Sequence, residues 1–387
     1  MGSFSTTKEV PSRTTRAGAF RHGVETSAFI SVERSTAASR HSAIHQNASL
    51  KTSLKNHHRR LRLLKMVTIF KKNLSHYPVV PPDKVRRVII VTYFRAGSNF
   101  VGELLSSSPP TFYHYEPLSM YTVATRLVGR NATEASSLIS HLLRCELQSV
   151  GHYIRKVIER KDPLRRNRFL WALCRGDNKT CFRADFVSKV CARAPAQVMK
   201  ITRLHMSQVL AWLRSNTDLA KSVKILHLVR DPRGILASRR LLEWCNESKS
   251  CVDPATLCSE LRGDLYASEE LQRTFPNSTY RVRYEDVSLD PKKQALKLFK
   301  ALGLNHTVYV TSFLKGHSKG SKSDASDPYS TRRNSSIVPF QWVNKLKFKD
   351  IADIQRSCSD VMRRLGYKII ANADELLSKV RTAPCLA

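Results

Sequence analysis

The first sustained apolar run in the chain is Val88-Ile-Ile-Val-Thr92, an unbroken β-branched series with no polar alternation. A strand buried on both faces, as in a parallel sheet, has this pattern. Gln197-Val-Met-Lys-Ile201 and Lys224-Ile-Leu-His-Leu-Val229 repeat it, and Tyr280-Arg-Val-Arg-Tyr284 is a shorter strand. Between and after the strands the pattern becomes helical, over Phe100–Leu105, Met120–Arg130, Ala135–Glu159, Arg233–Trp244, Pro291–Leu302 and Lys349–Leu365. Asp231-Pro232 supplies an N-cap followed by a proline suited to a first helical position. Gly303 and Gly366 stop the helices before them. Strands alternating with helices predict an α/β fold, a parallel sheet covered by helices on both faces. No internal repeat and no second domain boundary interrupts it.

Outside this region the patterning is absent. Up to Lys72 the chain is rich in Ser, Thr, Arg and His and carries 14 basic against 3 acidic residues. It reads as a disordered basic arm or stem. Tyr77-Pro-Val-Val-Pro-Pro82 follows as a stiff linker, because proline fixes φ and opposes helix. The expected division is 1–84 arm and linker, 85–375 a single domain, and 376–387 a tail.

Charge widens the functional possibilities before motifs narrow them. Lys and Arg total 65 against 31 acidic residues, a net charge of +34. Such an excess concentrates polyanions at the surface, whether nucleic acid, anionic membrane, acidic glycan or nucleotide. A basic nucleic-acid or polyanion binder without catalysis is the alternative reading. No helix–turn–helix, zinc-finger or RNA-recognition signature supports it.

Nine cysteines fall mostly in two clusters, Cys174, Cys181, Cys191 and Cys245, Cys251, Cys258. No paired CxxC spacing suggests zinc. Disulfides in an oxidising compartment are favoured over buried thiols, with Cys385 the expected unpaired one. Asn47, Asn73, Asn131, Asn178, Asn246, Asn277, Asn305 and Asn334 all head N-x-S/T sequons. Cysteines and sequons together point to the secretory pathway. Against this, no run approaches the ~18 apolar residues of a membrane span, and Met1–Phe20 has no signal-peptide apolar core.

Two loops carry candidate chemistry. Thr92-Tyr-Phe-Arg-Ala-Gly-Ser-Asn-Phe100 joins a buried strand to a helix, aiming backbone N–H groups and the positive helix end at an anion. Gly97 permits close approach, Ser98 and Asn99 can cap or donate, and Arg95 supplies a permanent charge. The loop does not match GxxxxGK[ST]. Leu228-Val-Arg-Asp-Pro-Arg-Gly-Ile-Leu-Ala-Ser238 follows another strand. Arg230 stands at that strand's C-terminal end, where ligands collect in open α/β sheets. Ser238 lies about two helical turns on, facing roughly the same way.

Together, strand–RxGS–helix and RDPRxxxxS resemble the sulfotransferase family. Further segments fit in order: His114-Tyr-Glu-Pro-Leu118, Val198-Met-Lys-Ile-Thr-Arg203, Val282-Arg-Tyr-Glu-Asp286, and Tyr329-Ser-Thr-Arg-Arg-Asn-Ser335 with Gln341-Trp342. The subgroup most resembled is the Golgi enzymes that sulfate the 6-hydroxyl of galactose or N-acetylhexosamines, the keratan sulfate galactose type above all. Ala96 and Asn99 replace two hydroxyls usual in the first motif, Val343 follows Trp342 where Arg is usual, and the family's N-terminal anchor is not visible.

The resemblance implies a P-loop-like sulfotransferase domain that moves a sulfuryl group from 3′-phosphoadenosine 5′-phosphosulfate (PAPS) to a sugar hydroxyl in the Golgi lumen. The acceptor would be a glycan or proteoglycan chain, neutral or anionic, and no metal would be required. Arg95, Ala96, Gly97, Ser98, Asn99 and Phe100 would hold the 5′-phosphosulfate, with Arg95 also catalytic. Arg230 and Ser238 would hold the 3′-phosphate. Glu116 is the candidate base and His114 the second choice. Lys200, Arg203, Arg332 and Ser335 are candidate donor or acceptor contacts, and Asn334 would then be too buried for a glycan.

Overall fold

Five parallel strands form one sheet in the order β2-β3-β1-β4-β5. They are β1 (Arg86–Val91), β2 (Thr111–Tyr115), β3 (Ala196–Ile201), β4 (Val223–Val229) and β5 (Thr279–Arg283). This is a computed structural model that describes residues 73–160, 162–317, 331, 332, 335 and 337–379. The residues before 73, with the basic arm and Asn47, lie outside the described residues, as do Asn334 and Cys385.

Val88, Ile89, Ile90 and Val91 are fully buried at the centre of the sheet. Removing each such side chain from water contributes about 1.5–3 kcal/mol. Successive residues point to opposite faces, so β1 feeds two cores. Ile89 and Val91 pack with α2 (Gly129–Leu143) and α4 (Met206–Ser215) on one face. Val88 and Ile90 pack with α1 (Ser98–Leu105), α8 (Pro291–Leu302) and α9 (Val308–His317) on the other. A third cluster joins α5 (Pro232–Arg239), α6 (Pro254–Thr274) and α10 (Phe348–Arg364) beyond the strands' C-terminal ends. Both faces are covered, as the sequence pattern requires.

Several expectations are corrected. β2 is a fifth strand that the apolar pattern did not single out. The helix expected over Met120–Arg130 does not form: after a 3₁₀ turn at Pro117–Met120 the chain is irregular until α2 begins at Gly129. Its carbonyls have other partners, since Arg203 donates to the carbonyls of Thr122 (2.7 Å) and Val123 (3.1 Å). The single helix Ala135–Glu159 is two helices, α2 and α3 (Gly151–Arg160), broken where Cys145 takes φ 63° and bonds to Cys191. The helix after Asp231 ends at Arg239, not Trp244. The Pro-rich linker is docked to the domain: Val80 N–H donates to the Ala192 carbonyl at 2.9 Å, and Tyr77 meets Phe169 edge-on at 5.0 Å.

Four disulfides link Cys145–Cys191, Cys174–Cys181, Cys245–Cys251 and Cys258–Cys358. Two stay within the sequence clusters and two reach beyond them. Asn73, Asn131, Asn178, Asn246, Asn277 and Asn305, the described sequon residues, are all exposed. Among the described residues no helix is long and apolar enough to cross a membrane. Cys258–Cys358 ties α6 to α10 across 100 residues, whereas Cys174–Cys181 closes only 7. Loop-closure entropy rises with loop length, so it assigns about 4.7 kcal/mol to the first and about 2.3 kcal/mol to the second. Replacing both cysteines of Cys258–Cys358 by alanine should therefore lower the denaturation midpoint about twice as far as the same change at Cys174–Cys181. Equal losses in non-reducing denaturant titrations would rule out loop closure as the main source.

Candidate functional site

The strand order places β1 between β3 and β4, so the loops leaving β1 and β4 lie side by side at their C-terminal ends. In open α/β sheets this is where ligands bind. The β1 loop is rooted by Tyr93, whose hydroxyl donates to Asp264 at 2.8 Å and lies 3.1 Å from His227 Nε2. Gly97, at φ 84°, turns the chain into α1 without a side-chain cap. A Cβ there would lie 2.1 Å from the Tyr284 ring, so only glycine fits. The first N–H groups of α1, with the positive end of the helix, are thus presented to the cleft.

The β4 loop separates two arginines. Arg233, not Arg230, is the partner of Asp231: it is fully buried and holds that carboxylate at 2.7 Å. Arg230 donates to the Arg95 carbonyl at 2.8 Å and to the Val338 carbonyl at 3.4 Å, with its guanidinium 4.8 Å from the Tyr284 ring centre. Its Nε is buried and has no hydrogen-bond partner. Ser238 accepts from Arg95 Nε at 3.0 Å, bringing the two motifs into contact.

These residues line one cleft of about 820 Å³. Arg95, Gly97, Ser98, Asn99 and Phe100 reach it, and Arg230 and Ser238 share the wall. Ala96 does not: its methyl is buried in the core behind the loop, leaving only its backbone for a ligand.

Glu116 also lines the cleft, directly after β2. It takes φ 43°, a left-handed conformation costly for a residue with a Cβ. Pairing of β2 with β3 sets Tyr115 opposite Lys200, so the two side chains on β3 and its extension meet the carboxylate. Lys200 Nζ lies 2.6 Å from Oε1 and Arg203 Nη1 2.6 Å from Oε2. Lys200 also donates to Asn99 Oδ1 at 2.6 Å, connecting Glu116 to the anion loop. Burial alone would raise the Glu116 pKa, but Lys200 and Arg203 hold it down, at about 2. Arg203 reaches the cleft, while Lys200 is buried behind it. His114 is buried on β2 away from the cleft, and its burial pushes the imidazole pKa down to about 3. Ser335 lines the cleft; Arg332 does not.

Sequence reading missed Tyr284, Phe94, Trp244, Arg160 and Lys345, all of which line the cleft. Tyr284 was within a recognised segment, and its place immediately after β5 was the available signal. Phe94 lay within the first candidate loop, Thr92–Phe100, and Trp244, Arg160 and Lys345 come together only in three dimensions. Among the described residues no group of three or more His, Cys, Asp or Glu could hold a metal.

The sulfotransferase domain family matches residues 85–366. Carbohydrate sulfotransferase 3 of Tetronarce californica is 26% identical over 336 residues, covering 76% of this chain and 75% of that protein. Human carbohydrate sulfotransferase 1 is 25% identical over 336 residues, covering 75% and 81%. Among solved structures, the sulfotransferase domain of the Synechococcus PCC 7002 olefin synthase aligns with 76% of this chain and 99% of its own, at 17% identity and a TM-score of 0.44.

Proposed function

The chain belongs to the sulfotransferase domain family, and from that premise we propose that it transfers a sulfuryl group from PAPS to the 6-hydroxyl of a galactose or N-acetylhexosamine in a glycan or proteoglycan. One observation carries the reading: an uncapped helix start with Arg95 and a half-satisfied Arg230 beside Ser238 open into a single cleft, with a carboxylate on its wall. A donor with phosphates at both ends of an adenosine needs two such anion-binding groups. Arg230 and Ser238 would take the 3′-phosphate; Arg95, the α1 N–H groups and Asn99 would take the 5′-phosphosulfate.

In the reaction the acceptor oxygen bonds to sulfur, the bond from sulfur to the 5′-phosphate oxygen breaks, and 3′-phosphoadenosine 5′-phosphate (PAP) leaves. As in phosphoryl transfer, catalysis of this kind is mostly positioning and charge stabilisation. Arg95 and the α1 N–H groups would stabilise charge on the sulfuryl oxygens and the leaving phosphate. Glu116 would orient the acceptor hydroxyl and take its proton. Lys200, already shared between Glu116 and Asn99, would couple the two ends of the transfer. The names of the relatives support a carbohydrate acceptor, and the disulfides and exposed sequons support a Golgi-lumen location.

The test is an assay with sulfur-labelled PAPS against keratan, chondroitin and N-glycan acceptors. Label should enter a hexose or hexosamine 6-position without added metal. Label at another hydroxyl would overturn the positional assignment, and none in any glycan would overturn the carbohydrate reading.

A further inference from the structure

Behind the cleft, where β4, α5 and α7 (Tyr284–Leu289) converge, four charged side chains are buried together: Arg230, Asp231, Arg233 and Glu285, exposed by only 7%, 2%, 0% and 1%. Asp231 and Arg233 satisfy one another, with Nε at 3.0 Å and Nη2 at 2.7 Å from the carboxylate oxygens, and Arg233 also donates to Gln355. That leaves Glu285 and Arg230. Among the described residues Glu285 is bound only by uncharged donors, the Asp231 N–H on Oε1 at 3.1 Å and the Tyr367 hydroxyl on Oε2 at 2.8 Å. Arg230 in turn is bound, among the described residues, only to carbonyls and a ring face. The guanidinium is thus the main charge available to compensate the buried carboxylate, and the cleft exposes that same guanidinium to any ligand.

We propose that binding of the donor's 3′-phosphate to Arg230 is coupled to uptake of a proton by the buried Glu285. The proposal rests on the assignment of the 3′-phosphate to Arg230. A phosphate at Arg230 adds negative charge near a carboxylate whose other neighbouring cations among the described residues, Arg233 and Arg283, are each paired with an aspartate, so the carboxylate gains proton affinity.

The surroundings set the window. Burial pushes the Glu285 carboxyl up, Arg230 holds it down and Asp231 pushes it up, leaving it at about 7. Of the other groups facing it, Arg233 is committed to Asp231. Arg283 is committed to Asp286 at 2.9 Å and to the carbonyls of Leu365 and Gly366. Burial drives the Tyr367 phenol pKa far up, so it stays a donor. The free protein therefore holds Glu285 half ionised near neutrality, and the bound protein holds it protonated. Because the complex binds more protons, donor affinity is highest below about pH 7 and falls as pH rises towards the bound-state value. The phosphate's own titration runs the other way, but it is common to any two variants compared.

The experiment is calorimetric titration of PAP into the full chain at pH 7.5, in buffers of different ionisation enthalpy, for wild type and Glu285→Gln. Wild type should take up roughly half a proton more than the variant. Between pH 6.5 and 8.5 its affinity should fall roughly 3- to 10-fold more than the variant's. Equal proton counts would overturn the coupling while leaving the 3′-phosphate assignment standing; failure of PAP to bind either protein would remove both. Should Glu285→Gln fold poorly, Tyr367→Phe serves instead. Losing the hydroxyl that donates to the carboxylate should move the pH of maximal proton uptake upwards, and an unmoved maximum would overturn the proposal.

Discussion

Arg230→Ala should weaken PAP binding and raise the PAPS KM by about 10²–10³-fold, the loss typical of removing one partner from a buried, hydrogen-bonded charge pair. The side chain is 7% exposed, with its Nε unpartnered and its guanidinium 4.8 Å from the centre of the Tyr284 ring. It is thus pre-oriented, and a bound phosphate gains donors at little cost in ordering. Arg230→Lys keeps the charge but not the planar fork, so it should recover only part of the affinity. The fold should survive, because the partners left behind are the carbonyls of Arg95 and Val338 at the cleft edge and a carboxyl, Glu285, that can take up a proton. Calorimetry with PAP and a thermal melt separate the two effects. Unchanged PAP affinity in a folded Arg230→Ala protein would remove Arg230 from the donor site.

How much of this was legible in the chain depended on whether the signal was local. Val88–Thr92 reads as a buried strand because every residue in it is apolar or β-branched and both neighbours in the sheet are equally buried. Arg95, Gly97, Arg230 and Ser238 were legible because each belongs to a strand–loop–helix unit, and the chain places both units at the C-terminal end of the sheet. Residues 121–128 were not, since helical patterning there yields to Arg203, a residue some 80 positions away that holds their carbonyls. Disulfides spanning 46 and 100 residues carry no local signal either. Within the site, Glu116 could be named from its motif, but its clamp could not. That clamp depends on β2 pairing with β3 in a register that sets Tyr115 against Lys200, and β2 itself went unread. Glu285 lay within a recognised segment, yet its isolation follows only from Asp231 being claimed by Arg233.

That clamp shapes the second large effect. Glu116→Gln should lower kcat by about 10²–10⁴-fold, the usual contribution of a positioned general base, with PAP binding retained. A carboxylate held near pKa 2 is a weak base in the resting protein. In a loose transition state, however, the nucleophile's proton is needed only as the new bond nears completion, and orientation of the hydroxyl matters before that. With its pKa held at about 2, Glu116 is ionised near neutrality and should contribute no acid limb to the kcat profile there. Any such limb must come from another group, which separates this residue from Glu285. The glutamine keeps the shape, but its single carbonyl oxygen can accept from only one of Lys200 and Arg203, its NH2 then faces the other, and both buried cations lose their counter-charge. Some loss of thermal stability should therefore accompany the loss of turnover, and PAP calorimetry shows whether the cleft is intact. Near-normal turnover in a folded Glu116→Gln protein would move proton transfer elsewhere. His114 would be a poor replacement, since it is buried on β2 with its pKa depressed to about 3 and does not reach the cleft.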